Sequence, residues 1–289
     1  MKHRSNSILA HIPQSSAGEQ FLKQALFITN AIGMRIFLLD VIKPSSFFFH
    51  NPKSKKNKIR HKEELNGFTE FVKKCLDSNI PDNIILRIAW GKIMSTLITE
   101  TECGGYEFVM IDKSESQNNE NMSRANVDIY VSKSYCPVLS INKDYPLKQI
   151  TNIVVPVDIS QRTKKHLYWA TLFAIKFNAQ IHIVSALNID IEEHKSLAFK
   201  NADKIRKMLN ERGVKCDIKI LKIHNLEKQQ AILEYIEEVN PGMVIIRTHQ
   251  ESRFTGKKIG PFVSEIIHGC KMPVFTVGGV SQNYDLNAI

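Results

Sequence analysis

Residues 152–157 read NIVVPV, Asn152 to Val157, and this stretch decides the fold. An uncharged, continuously apolar run of β-forming residues predicts a strand covered on both faces, as in a parallel sheet. The downstream sequence agrees with it. Ser160 stands where a hydroxyl caps the start of a helix. Leu167, Ala170, Thr171, Ala174 and Phe177 then recur at spacings of three and four, the apolar face of a helix that Asn178 ends. QIHIVSAL (180–187) is a second strand, and a charged helix from about Glu192 to Arg212 stops at Gly213. KCDIKILKI (215–223) alternates as a strand does. Glu227 to Val239 is amphipathic, with Ile232, Tyr235, Ile236 and Val239 inward, and Met243 to Ile246 is a fourth buried strand. A helix over Pro261 to His268 leads through Met272 and Pro273 into a fifth strand, Val274 to Val277.

The first half repeats this order. Ser7 to Ile12 opens it as a strand, Gly18 to Ala31 is its first helix, and MRIFLLDVI (34–42) its second strand. A helix from about Ile59 to Leu76 comes next, then a strand over Asn83 to Ala89, a helix over Ile93 to Glu102 and a strand over Phe108 to Ile111. Val127 to Lys133 closes as a helix and Pro137 to Ile141 as the fifth strand. Short β-helix-β crossovers force neighbouring strands to run parallel. The fold class is therefore α/β, two tandem doubly wound domains, each a five-stranded parallel sheet with helices on both faces. Domain 1 spans residues 1–145 and domain 2 residues 149–280, with the polar segment around Pro146 as the linker.

Composition narrows the functional classes. Of 289 residues, 43% are hydrophobic and 24% charged, which is globular rather than disordered, and the longest apolar runs are far too short to span a membrane. MKHRSNSILAHIPQ has a basic start, but His11 and Pro13 break its apolar stretch, against a secretory signal. A cytoplasmic protein is expected. Five cysteines without a CxxC pair read as reduced, mostly buried thiols, and ten histidines without HExxH spacing give no metal site. The net charge of +10 is split evenly, +5 in residues 1–148 and +5 in residues 149–289. Only KSKKNKIRHK (53–62) concentrates it, which reads as a solvated face and as the one candidate surface for nucleic acid. Phe47 to Phe49, just before it, read as core or lid.

Two segments carry a resemblance. The opening NIVVPVDIS (152–160) and the closing VIIRTHQESRFTGKKIGPFVSEIIHGCKMPVFTV (244–277) resemble the universal stress protein family; in the first half YEFVMID (106–112) and CPVLSI (136–141) are similar. The resemblance implies tandem Rossmann-like domains of the adenine nucleotide alpha hydrolase-like kind. It also implies an internal pseudo-dimer joined through the fifth strands. In ATP-binding members an Asp ends strand one, and a loop of Gly, two residues, Gly, nine residues, Gly and Ser or Thr comes after strand four. Glycine amides and a helix N-terminus there approach phosphate oxygens. On this sequence Asp158 matches the acid, and the loop positions fall on Arg247, Gln250, Gly260 and Pro261. Pro261 lacks the amide hydrogen and suits a helix's first turn. Arg247, Lys257 and Lys258 offer charge in place of glycine geometry. In the first half Pro13 stands in the acid's place and Arg124 and Ala125 in those of Gly260 and Pro261, so no ordinary ATP site is expected there.

The expected ligand site is therefore Pro156, Val157, Asp158, Ala186, Arg247, Thr248, Gln250, Gly260, Pro261 and Phe262, for ATP, another adenine nucleotide or an anion. The expected function is a stress-response regulatory or ligand-binding protein, not an enzyme, weak ATP hydrolysis aside. Neither HIPQSS nor PVDISQ carries the glycine turn of adenylate-transferring folds. The alternatives are a structural interaction protein without a ligand, working through a protein partner or as a homo-oligomer, and a basic nucleic-acid-associated protein.

Overall fold

The computed structural model describes residues 6–43, 55–114, 123–146, 149–157, 164–187, 197–223, 228–248 and 259–278. The chain divides into two compact units, Met1–Asp144 and Tyr145–Ile289. In the first, the described elements are β1 (Ser7–His11), α1 (Ser16–Ile32), β2 (Arg35–Ile42), α2 (Lys55–Leu76), β3 (Ile84–Trp90), α3 (Ile93–Gly104), β4 (Phe108–Asp112), α4 (Arg124–Lys133) and β5 (Val138–Ile141). Its strands pair in parallel in the order β3-β2-β1-β4-β5.

The second unit holds β6 (Asn152–Pro156), α5 (Lys164–Phe177), β7 (Gln180–Leu187), α6 (Leu197–Asn210), β8 (Cys216–Lys222), α7 (Lys228–Val239), β9 (Met243–Arg247), α8 (Pro261–Gly269) and β10 (Val274–Val277). Again every pairing is parallel, in the order β10-β9-β6-β7-β8. Both are doubly wound sheets. The order turns back on itself between β1 and β4 in one unit and between β6 and β9 in the other, and ligands of open α/β sheets lie at that switch point.

The repeat keeps one register over its first elements. β1 and β6, and likewise β2 and β7, are offset by 145 residues. The helices between them both end on a left-handed residue at that same offset, Gly33 (φ 71°) and Asn178 (φ 52°). Continuous apolar strands sit where expected: Ile153, Val154 and Val155 of β6 and Val244, Ile245 and Ile246 of β9 are fully buried. The α5 face reads as predicted, with Leu167, Ala170, Thr171, Ala174 and Phe177 buried.

Several expectations need correction. α2 starts at Lys55 and α4 at Arg124, earlier than Ile59 and Val127, because their first turns are polar and carry no apolar period. Counting back from Pro137 aligned Arg124 with Gly260. The structure instead makes Ser123 the cap of α4 and Arg124 its first helical residue, since α4 has ten residues and α8 nine. On α7 the buried residues are Ala231, Ile232 and Ile236, while Tyr235 and Val239 are half-exposed. All five cysteines are free, yet only Cys136 and Cys216 are buried; Cys103 is exposed. Ser160, Asp158, Gln250, Lys257, Lys258 and Phe47 to Phe49 lie outside the described residues.

The β1–α1 corner shows how tightly the first unit closes. Ser15 caps α1 by accepting from the Gly18 amide at 3.2 Å. A Cβ on Gly18 would lie 1.8 Å from the Pro13 carbonyl oxygen. The contact is with backbone, so no rotamer change relieves it. Gly18→Ala is expected to lower the unfolding free energy by about 2 kcal/mol, read by denaturant titration; a change below about 0.5 kcal/mol would show that the corner opens freely.

Candidate functional site

In the second unit the sheet itself makes a crevice. β6 pairs with β7 over five residues and continues through the Val157 amide to the Val184 carbonyl at 2.9 Å. β9 stays with β10 as far as the Arg247–Val277 pair. Between β6 and β9, however, only Ile153–Met243 and Val154–Val244 pair. The two strands part toward their carboxyl ends, leaving Pro156 and Val157 on one side and Arg247 and Thr248 on the other. α8 begins at this end as well, because it runs back from the carboxyl to the amino side of the sheet.

Of the expected site residues, Pro156, Val157, Arg247, Gly260 and Pro261 lie at this edge, and Ala186 stands near the end of β7, 6% exposed. Thr248 points elsewhere. Its hydroxyl donates to the Val277 carbonyl at 3.3 Å and its amide to the same oxygen at 3.1 Å, tying it to β10. Phe262 is a core residue, 4% exposed. Gly260 is the N-cap of α8 with φ −68° and ψ 157°, a conformation open to any residue, and Pro261 is the first helical residue. A glycine cap has no side chain to bind the first-turn amides, and none does so from Gly260.

Arg247 is half-exposed, and its guanidinium makes no hydrogen bond or ion pair among the described residues. Beside it is a group that sequence reasoning missed. His166, in the first turn of α5, is 1% exposed, and neither ring nitrogen has a hydrogen-bond partner among the described residues. Burial, and secondarily the Arg247 charge, push its pKa down to about 3, so the ring is neutral. The signal for it was present: His166 precedes Ala170, Phe173 and Phe177 by four, seven and eleven, the period of the buried face.

The first unit fills the corresponding edge with its own polar groups. The Asp112 carboxylate accepts from the Ser114 amide at 2.9 Å, the Ser114 hydroxyl and the Lys143 amide at 3.2 Å. Burial raises the Asp112 pKa, and these donors oppose the shift. Gln14 donates to Asp40 at 2.9 Å, and Gln24 donates to the carbonyls of Asn142 and Lys143 at 3.1 and 2.8 Å. His11, which occupies the place of Pro156, is 7% exposed, and burial lowers its pKa to about 4.

Two other surfaces offer less to a ligand. A cavity of about 470 Å³ lies at the opposite, amino ends of β6, β7 and β8, lined by Asn152, Gln180, Arg212 and Lys215 among others. The carboxyl ends of α5 and α6 converge there, a dipole unfavourable to an anion, and Gln180 and Asn152 already bond Asp217 and His182. The basic run enters α2, where Lys55, Lys58, His61 and Lys62 are exposed and Arg60 pairs with Glu64 at 3.7 Å and lies 5.2 Å over Trp90. It is a solvated helix face. Among the described residues no group of His, Cys, Asp or Glu is arranged to hold a metal, and no helix is long and apolar enough to cross a membrane.

Residues 149–278 match the profile of the Universal stress protein family. It is the second unit that carries this family's profile. Solved structures show the fold across both units. A universal stress protein from Archaeoglobus fulgidus is 16% identical with a TM-score of 0.66, covering 96% of this chain and 99% of its own. A putative one from Pseudomonas aeruginosa is 15% identical, TM-score 0.64, covering 95% and 94%. The cytoplasmic domain of a prokaryotic cation chloride cotransporter, 10% identical, reaches 0.52 over 99% and 100%. No curated protein matches by sequence. The second unit has a crevice at its switch point, and Arg247, which the resemblance set in the place of a loop glycine, stands at its edge.

Proposed function

We propose that this universal stress protein is a cytoplasmic regulatory protein of the stress response that binds an adenine nucleotide, or another phosphorylated anion, in the second unit without transforming it. The observation that carries the reading is Arg247, the last residue of β9 where that strand has parted from β6, whose half-buried side chain has no acceptor among the described residues. A half-buried guanidinium favours a planar or tetrahedral oxyanion, which it grips with two parallel donors. The α8 N-terminus adds a positive dipole at the same edge. Resemblance to ATP-binding family members supports the nucleotide, with Asp158 in the place of the strand-one acid.

The test is calorimetric titration of the full chain with ATP and with inorganic phosphate, preceded by native mass spectrometry of freshly purified protein. Arg247→Ala is expected to weaken binding roughly ten- to a hundredfold, the worth of one charge-assisted contact. No heat and no retained ligand would overturn the reading. A second reading, an interaction module without a ligand, is favoured by the missing loop glycines and would then stand.

A further inference from the structure

We propose that His166 is a ligand-contacting residue of the second unit: its buried ring N–H donates to a phosphoryl oxygen of the anion that Arg247 holds. The inference rests on the anion-binding reading above and names the side chain that completes it.

The repeat supplies the first observation. At the constant offset of 145, the first-unit residue in the place of His166 is Phe21, 1% exposed and wholly apolar. A ring of similar bulk packs this turn against the sheet without any nitrogen. Packing alone therefore does not call for an imidazole, and leaving two polar atoms buried and unbonded costs free energy that a phenyl would not. α5 packs on β9, the strand that Arg247 ends. Its first turn lies at the carboxyl edge, where the crevice opens. Burial and the neighbouring guanidinium keep the ring unprotonated, so one nitrogen bears a hydrogen and the other a lone pair. His166 and Arg247, on packed elements and close enough for the charge of one to act on the other, thus both lack an acceptor among the described residues. One oxyanion satisfies both. Side chains on α5 and β9 would then supply what glycine amides supply in the family's loop motif, with Gly260 leaving the α8 amides open to the same group.

The experiment uses the full chain with ¹⁵N-labelled histidine, titrated with ATP and with inorganic phosphate. The ring resonances absent from His166→Phe belong to His166. They are expected to move on adding the anion, and the tighter titration names the source of the phosphoryl group. His166→Phe, which installs the residue of the first unit, is expected to keep or raise the Tm while weakening binding roughly ten- to a hundredfold. His166→Gln, which restores an N–H donor, recovers part of the loss. Wild-type binding with unmoved His166 resonances and an unweakened His166→Phe variant would overturn this inference and leave the anion-binding reading intact. Absence of binding by the wild type to either probe would overturn both.

Discussion

Phe275→Ala is expected to lower the stability of the second unit by about 4 kcal/mol, the cost of removing a fully buried aromatic ring and leaving most of its volume empty. Phe275 lies on β10 with no exposed surface, its ring 5.0 Å from both Trp169 and Phe173. Trp169 and Phe173, 5.9 Å apart, come from successive turns of α5. The three rings join one helix to one edge of the sheet, and the edge-to-face contact of Phe275 with Phe173 at 75° adds to the area they bury. The residues around such a gap belong to regular strand and helix backbone and collapse little. Trp90 and Trp169 are the two tryptophans of the chain. Denaturant unfolding followed by fluorescence in a Trp90→Phe background therefore reports the second unit. A loss below about 2 kcal/mol would mean that the helix re-seats itself on the sheet.

The second large effect is acid lability of both units. His11 and His166 have pKa values pushed down to about 4 and about 3 by burial, from an ordinary 6.5. Both stay neutral in the folded chain and take up a proton once it unfolds. Their contribution to stability is complete above 6.5 and is lost as the pH falls from there toward 4 and 3. At pH 5, about 1.5 units into that window, each imidazole costs about 2 kcal/mol. Burial sets the direction for both rings; the Arg247 charge opposes protonation of His166 further. Calorimetry from pH 7.5 to pH 5 is expected to show a Tm fall of roughly 4–8 °C for each unit. His166→Phe should abolish the fall in the second unit and leave that of the first. A Tm that holds steady to pH 5 in the wild type would contradict the buried, neutral state of both rings.

The strands were legible because a sheet buried on both faces demands unbroken apolar runs, and the repeated order of elements made NIVVPV and VIIR strands rather than buried helix segments. The polar first turns of α2 and α4 were not, since Lys55 to Lys58 and Arg124 to Asn126 are held helical by the turns after them and show no period of their own. The site divides in the same way. Arg247 was visible as a charge standing in a glycine's place. Thr248 and Phe262 shared that stretch of sequence, but the Val277 carbonyl and the core claim them instead. His166 went unread because the apolar face was counted from Leu167, one residue after it. Carried back from Ala170, Phe173 and Phe177, the helical period reaches the imidazole, and the offset to Phe21 agrees that it stands in a core position.

The early parting of β6 from β9 has a further bearing on the history open to such a chain. A hollow produced by strand order is independent of the turns that rim it, so an arginine can stand at the end of β9 without closing the hollow or unsettling the layers beneath. Selectivity can drift while the scaffold stands still.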